Sequence, residues 1–315
     1  MTNECNNRPC LRRASSSPNG KKVGFLMLIF LLYSFSTFAQ SLSTPFPYTF
    51  RNTRSNELAN PVALHTFFQR IRDGKAVKVM QIGDSHTRGN VYPRTVEKTL
   101  KAYFPQLDFA YYGINGAWAH RFYEQDMIQR VANEHPQLVI ISFGTNEAHG
   151  NFDAHTHNQT LDMLTQRIAA RCPEVVFLLT TPPGSYISVR TGQRYTIRRS
   201  RRRRTRYATT KVRNERTERV ARNLLDYGNA HQMVVWDLFT IAGGPTHACS
   251  NWRDAGLMRA DGVHFLAAGY QLQGTLLAEA IIKAYEQVAP RSSQTRMFQP
   301  PTPQEQRPNA SLKGF

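Results

Sequence analysis

Apolar runs of five or six residues alternate with longer amphipathic stretches through the middle of the chain. The runs have the length and continuity of buried strands, and the stretches between them repeat apolar residues every three to four positions, as helices with one buried face do. The pattern predicts five strands, at 77–82, 108–112, 138–143, 175–180 and 233–238, and helices at 91–103, 119–133, 157–171, 213–230 and 266–287. Strands that alternate with helices form a parallel sheet covered on both faces, here in one domain of the α/β class.

The two ends of the chain lack this pattern. Residues 1–39 combine a charged start, a short apolar core and a Thr-x-Ala motif that ends at Ala39, which predicts a cleaved export signal. A membrane anchor is the alternative, but it needs about 20 apolar residues and this core has roughly a dozen. Residues 40–60 predict an irregular lead-in, and 291–315, rich in Pro and Gln, predict a disordered tail.

One folded domain is therefore expected over residues 61–290. The export signal predicts a protein of the periplasm or cell envelope, with no integral membrane span after cleavage. The chain has 40 Lys and Arg against 22 Asp and Glu, a formal net charge of +18. Five basic residues and one acidic residue lie within 1–39, so the remainder keeps a charge of +14 and the working protein is basic.

Metal-binding signals are weak in this sequence. Cys172 and Cys249 are the cysteines that remain after cleavage, and their spacing leaves open whether they form a disulfide or two buried thiols. His149, His155 and His157 cluster in a polar segment, but two histidines at i, i+2 are poor evidence for a ligand set. We therefore expect no metal and no other cofactor.

One serine, one histidine and one aspartate fall where a parallel sheet places functional groups, at the carboxyl ends of its strands. Ser85 ends a Gly-Asp-Ser motif directly after the strand at 77–82, and Asp261-x-x-His264 precedes the last predicted helix. A serine hydroxyl becomes a nucleophile when a base takes its proton, and a carboxylate orients that base. An isolated Gly-Asp-Ser would favour a helix cap instead, so the prediction depends on further motifs.

Two such motifs follow the next two strands. Gly116 closes a Gly-Ile-Asn-Gly motif after the second strand, with Gly113 as the competing glycine, and Asn146 lies in Gly-Thr-Asn-Glu after the third. A backbone N–H that is open to close approach and an asparagine amide can surround an oxyanion, where each donor contributes about 3 kcal/mol. The other common serine-hydrolase fold needs Gly-x-Ser-x-Gly, which Thr87 excludes here.

These four motifs, in this order, resemble those of the GDSL/SGNH hydrolase superfamily across roughly residues 76–288. The resemblance implies a flavodoxin-like three-layer α/β/α fold with a parallel five-stranded sheet. It further implies a catalytic set of Ser85, Asp261 and His264, and an oxyanion hole built from the backbone N–H groups of Ser85 and Gly116 and the amide of Asn146.

Longer strings, at 113–117, 142–148, 181–186 and 261–265, look like the peptidoglycan O-acetylesterase branch of that superfamily. The resemblance implies removal of acetyl groups from the 6-hydroxyl of N-acetylmuramic acid, with acetylated cell-wall glycan as the partner. Only 31 residues separate Ser85 from Gly116, so the β-rich carbohydrate module of some members is absent between them. The alternatives are an esterase for another polysaccharide such as xylan or a capsule, an O-acetyltransferase, and a non-catalytic wall-binding protein.

Substrate contacts are then expected from loops of the catalytic domain itself. Residues 184–211 predict a long loop on the rim of the catalytic face, and we expect its arginine run to draw anionic glycan toward the serine through Arg201, Arg202, Arg203 and Arg204. A solvated charge run is the alternative, and export disfavours a nucleic-acid partner. Trp118 and Trp252 are candidates for stacking on a sugar ring, although core packing is the more common role of such residues.

Overall fold

The computed structural model describes residues 43–199 and 202–288; the predicted signal at 1–39, the tail at 291–315 and Arg201 lie outside these ranges. The strands are β1 (Val77–Gly83), β2 (Leu107–Gly113), β3 (Leu138–Ser142), β4 (Val176–Thr180), β5 (Tyr186–Arg199), β6 (Arg202–Arg213) and β7 (Val234–Trp236). The α-helices are α1 (His65–Arg72), α2 (Ser85–Arg88), α3 (Val91–Tyr103), α4 (Gln125–Ala132), α5 (Thr145–His149), α6 (Ala154–Ala169), α7 (Arg216–Ala230), α8 (Leu238–Ile241), α9 (Gly244–Asp254) and α10 (Ala267–Val288). Short 3-10 helices occupy Pro61–Leu64 and Ala119–Phe122.

Five of these strands form one parallel sheet in the order β2-β1-β3-β4-β7, as the alternating pattern predicted. Every residue of β3, the central strand, is buried, which explains its unbroken apolar sequence. The register places Gly83 of β1 opposite Gly113 of β2 and Ser142 of β3. The loops that follow these three strands therefore begin side by side at one edge of the sheet.

Helices cover both faces of the sheet, so the predicted three-layer α/β/α fold is confirmed. On one face, α4, α6 and α7 bury residues such as Ile128, Leu164 and Leu224 against Ile82 and Ile141 of the sheet. On the other face, α10 packs against α3. The two helices approach closely because α10 carries Gly274, where a side-chain carbon would lie 2.6 Å from the Cβ of Thr95.

The segment after β4 is not the loop that its polar sequence suggested. Residues 186–199 and 202–213 form an antiparallel two-stranded sheet, β5 paired with β6, separate from the main sheet. The prediction of a loop at 184–211 was wrong because the arginines hide an alternating pattern: Tyr195 and Ile197 lie on one face of the ribbon, between threonines and arginines. Arg190 and Arg194 cover the ring of Tyr207, with their guanidinium carbons 4.8 and 5.3 Å from its centroid.

The lead-in residues that the structure describes, 43–60, have no helix or paired strand apart from an isolated bridge between Ala59 and Val235. They are nevertheless held against the domain. Asn56 donates to the carbonyl of Leu276 at 2.7 Å and accepts from the indole of Trp236 at 2.9 Å. Within 43–199 and 202–288, no helix combines the length and apolar character needed to span a bilayer.

Candidate active site

The turn from β1 into α2 places Ser85 at the edge of the sheet. Gly83 precedes it where only a glycine fits, because a Cβ there would lie 2.7 Å from the carbonyl oxygen of Ser142. Asp84 then begins the short helix, accepting a hydrogen bond from the backbone N–H of His86 at 2.9 Å. The close packing at Gly83 and the helix cap at Asp84 therefore both fix the turn, and the half-buried side chain of Ser85 lies beside the sheet.

The loop before α10 brings a base and its carboxylate to that serine. The hydroxyl oxygen of Ser85 lies 2.9 Å from Nε2 of His264, and Nδ1 of the same ring lies 2.9 Å from Oδ2 of Asp261. The other carboxylate oxygen accepts from the backbone N–H groups of Val263 and His264, at 2.8 and 2.9 Å. Partial burial opposes ionisation of Asp261, but these backbone hydrogen bonds and the imidazole outweigh it and lower its pKa to about 2.

Gly116 and Asn146, here called the oxyanion wall, line the same cleft as Ser85 and His264. Gly116 has a φ of +71° and open space around its Cα, so its backbone is accessible to a ligand. The side-chain amide of Asn146 donates to the carbonyl of Ala117 at 2.9 Å and to Oδ2 of Asp84 at 3.3 Å. Both amide hydrogens therefore have acceptors, and an oxyanion would compete for the longer of these two hydrogen bonds.

Two buried acids lie behind this wall. Burial raises the pKa of Asp84 to about 8, with a further contribution from the nearby Glu147. Burial also raises the pKa of Glu147, although the backbone N–H groups of Ala119 and Gly144 both donate to it at 2.9 Å. Glu147 therefore ties the loop that follows Gly116 to the first turn of α5, which carries Asn146.

A second histidine supports the ring of His264. His86 lies with its ring centroid 5.3 Å from that of His264, and its Nδ1 lies 3.0 Å from the hydroxyl oxygen of Tyr270. Burial lowers the pKa of His86 to about 3, so it stays neutral beside the imidazole of His264. Burial raises the pKa of Tyr270 to about 12, so its hydroxyl keeps its proton.

The base of the β5–β6 hairpin braces the loop of the acid and base. The backbone N–H of Tyr186 donates to the carbonyl of Gly262 at 2.7 Å, and the ammonium of Lys211 donates to the carbonyl of Asp261. Gly262 has a φ of +74°, and a Cβ there would lie 2.9 Å from the Cβ of Tyr186. The hairpin is thus a support of the catalytic loop as well as a surface element.

Sequence reasoning missed Glu147, His86, Tyr270 and Lys211. Glu147 lies inside a string that it singled out, His86 directly follows the Gly-Asp-Ser motif, and Tyr270 lies shortly after the string at 261–265. Their burial was the missing information, because a single sequence does not show which polar side chains face inward. Lys211 gave no signal at all, since its contact with Asp261 spans 50 positions along the chain.

The predicted substrate contacts divide into three groups. Trp252 is fully buried and donates its indole N–H to the carbonyl of Pro183 at 3.0 Å, so the expectation that it stacks on a sugar is wrong. Trp118 is half-buried and lines a pocket next to the cleft rather than the cleft itself. Arg203 and Arg204 are exposed on β6, while Arg201 lies outside the described residues.

The remaining candidate ligands are separated. Nε2 of His149 lies 3.0 Å from the hydroxyl of Ser185, Nε2 of His155 contacts Gln159, and His157 is buried. Across the described part of the chain, no three His, Cys, Asp or Glu side chains form a group suited to a metal ion. Cys172 and Cys249 are both buried free thiols, which decides the alternative that the sequence left open.

A serine, a histidine and an aspartate linked by hydrogen bonds, in one cleft with two amide donors, define a hydrolase of the serine type. The family model of the GDSL-like lipase/acylhydrolases matches residues 82–272. The chain belongs to this family and is a carboxylic ester hydrolase. No curated protein sequence matches it.

Two solved structures resemble the chain, and the first of them shows the same fold. A structure described as a peptidoglycan O-acetylesterase in action has 16% sequence identity and a TM-score of 0.60, and the match covers 73% of this chain and 99% of that chain. A carbohydrate esterase family 3 enzyme from Talaromyces cellulolyticus has 19% identity and a TM-score of 0.46, with 68% of this chain and 100% of that chain covered. At these identities the likeness concerns the fold.

Proposed function

We propose that the protein is an exported esterase that removes O-acetyl groups from peptidoglycan, at the 6-hydroxyl of N-acetylmuramic acid. The observation that carries the proposal is the row of Ser85, His264 and Asp261 at 2.9 Å spacing in a cleft of about 860 Å³. The cleft has room for a polymer, and its rim residues Arg88 and Arg259 are exposed cations. The fold likeness to a peptidoglycan O-acetylesterase supports the choice of ester.

The proposed reaction begins when Nε2 of His264 accepts the proton of the Ser85 hydroxyl, which attacks the acetyl carbonyl carbon. The backbone N–H groups of Ser85 and Gly116 and the amide of Asn146 donate to the oxyanion of the tetrahedral intermediate. The C–O bond to the sugar then breaks, and His264 returns the proton to the departing 6-oxygen. Asp261 holds the imidazole in the tautomer that accepts at Nε2.

Water completes the cycle. His264 accepts a proton from a water molecule, whose oxygen attacks the acetyl-serine. The second tetrahedral intermediate collapses with cleavage of the acyl–oxygen bond to Ser85, and the proton returns to the serine oxygen. The products are acetate and the free sugar hydroxyl, so the reaction needs no cofactor.

The hairpin gives a reason for an anionic polymer as substrate. Residues 186–213 contain eleven Lys and Arg and no Asp or Glu, so this ribbon carries most of the +14 charge that remains after residue 39. The base of the hairpin contacts Gly262 and Asp261, and its first strand of 14 residues extends roughly 40 Å from that contact. We propose that this hairpin, called the arm below, draws glycan with its stem-peptide carboxylates toward the cleft.

The substrate assignment is tested by acetate release from O-acetylated peptidoglycan and from acetylated xylan, measured with the purified protein and with Ser85→Ala. We expect release from peptidoglycan, and no turnover in the variant of either the polymer or 4-nitrophenyl acetate. Preference for xylan would assign the same chemistry to another polysaccharide. Acetyl transfer that depends on an added sugar acceptor would make the protein a transferase, and turnover by the folded variant would end the serine mechanism.

The role of the arm needs a control of equal charge. Arg203→Ala with Arg204→Ala should reduce kcat/KM on the polymer about fivefold at low salt, and the difference should shrink near 0.5 M salt, because screening removes steering. Lys75→Ala with Arg171→Ala removes the same charge from exposed sites that precede β1 and β4, at the opposite edge of the sheet. Equal effects of the two pairs would refute a specific role of the arm.

A further inference from the structure

Two arginine side chains line the catalytic cleft and take no part in the proposed proton transfers. Arg88 and Arg259 are both exposed, and both line the cleft that holds Ser85 and His264. Arg88 lies on α2, three residues after Ser85, a spacing that places two Cβ atoms about 5–6 Å apart on a helix. The backbone N–H of Arg259 donates to the carbonyl of His264 at 2.8 Å. One cation is therefore next to the nucleophile and the other is next to the base.

The backbone under each arginine is held in place. The N–H of Arg88 donates to the carbonyl of Asp84 at 2.9 Å, and Gly113 packs directly against that nitrogen, where a Cβ would not fit. The carbonyl of Arg259 accepts from the N–H of Gly262 at 2.9 Å, so both backbone groups of residue 259 are bonded to the catalytic loop. A rigid backbone limits the region that each guanidinium can reach, which lowers the entropy cost of binding a ligand there.

Both guanidinium groups lack an acidic partner among residues 43–199 and 202–288. The arginine ion pairs of these ranges include Arg253 with Asp254 at 3.0 Å, but neither Arg88 nor Arg259. The described residues that line the cleft also contain no Asp or Glu. The positive charge of this surface is therefore available to a ligand.

The charge of Arg259 acts inside the cleft. Burial raises the pKa of Tyr270, another lining residue, to about 12, and the guanidinium of Arg259 opposes this rise because it favours a negative charge nearby. The carboxyl groups of the catalytic region are engaged elsewhere. Asp84 is protonated at neutral pH, since burial raises its pKa to about 8, and both oxygens of Asp261 bond to the loop of His264.

We propose that Arg88 and Arg259 form a carboxylate subsite, which makes the enzyme prefer esters with a negative group close to the scissile bond. A guanidinium offers paired N–H donors that match a carboxylate, and its charge persists at every physiological pH. The inference deepens the proposed function and rests on it for the source of the carboxylate, the stem peptide of the acetylated glycan. It differs from attraction by the arm, because it acts by contact within the cleft.

Two aryl acetates of nearly equal size test the subsite. 3-Acetoxybenzoate carries a carboxylate, and 3-acetoxybenzamide has a neutral carboxamide in its place. The readout is the ratio of kcat/KM for the first ester to kcat/KM for the second, compared between proteins so that intrinsic reactivity cancels. We expect this ratio to fall about threefold in Arg88→Gln or Arg259→Gln and about tenfold in the double variant, as loss of exposed ion pairs does. The fall should shrink below about twofold at 0.5 M salt, because salt screens exposed charges.

Matched variants separate charge recognition from structural damage. Arg88→Lys with Arg259→Lys keeps the charge and should keep most of the ratio. Lys98→Gln with Arg171→Gln removes the same charge from exposed positions outside the cleft lining, and it should leave the ratio as in the wild type. Damage to the catalytic set lowers the turnover of both esters alike, so it does not change the ratio.

An unchanged ratio in the two single Gln variants, or an equal fall in the control pair, would overturn the proposal. These esters contain no sugar, so the outcome does not depend on which polymer is the substrate. A protein that prefers the carboxylate ester through these arginines but leaves O-acetylated peptidoglycan intact keeps the subsite and loses the proposed function. One that releases acetate from peptidoglycan without this preference keeps the function and loses the subsite.

Discussion

Glu147 is the side chain whose replacement tests how the oxyanion wall is held together. Its two carboxylate oxygens accept from the backbone N–H groups of Ala119 and Gly144 at 2.9 Å, and it is 1% exposed. Glu147→Gln keeps one acceptor and turns an NH2 group toward the second backbone donor. Two buried donors then face each other without an acceptor, and each such group costs about 1–3 kcal/mol.

We therefore expect Glu147→Gln to lower the free energy of unfolding by about 3 kcal/mol. The loss should also reach catalysis, because Ala119 follows the oxyanion glycine and Glu147 follows Asn146 along the chain. An oxyanion donor contributes about 3 kcal/mol when it is in place. Partial displacement of one donor should reduce kcat by about tenfold and leave KM for a small ester nearly unchanged.

Urea unfolding followed by circular dichroism measures the first effect, and hydrolysis of 4-nitrophenyl acetate measures the second. Glu174→Gln is the control, since that side chain is 71% exposed and pairs with Arg70 at the surface. We expect the control to stay within about 0.5 kcal/mol of the wild type, as exposed ion pairs contribute little. If Glu147→Gln matches the control in both stability and kcat, Glu147 does not hold the oxyanion wall in place.

Three further predictions concern the neighbouring groups. Burial favours the protonated form of Asp84, so the stability that this group contributes to the fold is complete below its ordinary pKa and is lost as pH rises through about 8. Activity should decline over the same range, because the new charge lies beside Asn146. Asp84→Asn should abolish that decline in a pH–rate profile. Gly262→Ala should lower both the thermal unfolding midpoint and kcat, because the φ of +74° and the 2.9 Å approach to Tyr186 leave no room for a Cβ, and an unchanged midpoint would contradict the bracing role of the hairpin. Asp261→Asn should reduce kcat at least about a hundredfold with little change in the unfolding curve, and near-normal turnover would show that the carboxylate does not orient the base.

Much of the fold followed from the order of apolar runs. The strands at 77–82 and 138–143 appear within a residue of their predicted bounds, and α3 begins and ends where its amphipathic pattern does. Such runs are readable because burial on both faces demands an apolar residue at nearly every position. The hairpin could not be predicted in the same way, because a ribbon that is exposed on both faces needs no apolar side. Its many arginines are typical of a loop sequence.

The sequence by itself determined the family, the parallel sheet and the candidate side chains for the ester chemistry. These depend on local motifs that follow strands, and parallel strands bring their carboxyl ends to one edge whatever the detail of packing. The tertiary structure alone decided which polar groups are buried and which partners they meet: Glu147 behind the oxyanion wall, Lys211 on the loop of Asp261, and His157 beside Asn223. The physical reason is that burial and hydrogen-bond partners arise from contacts between residues that are distant in sequence. A pKa shift or an unsatisfied hydrogen bond that gives a side chain its function exists only after those contacts have formed.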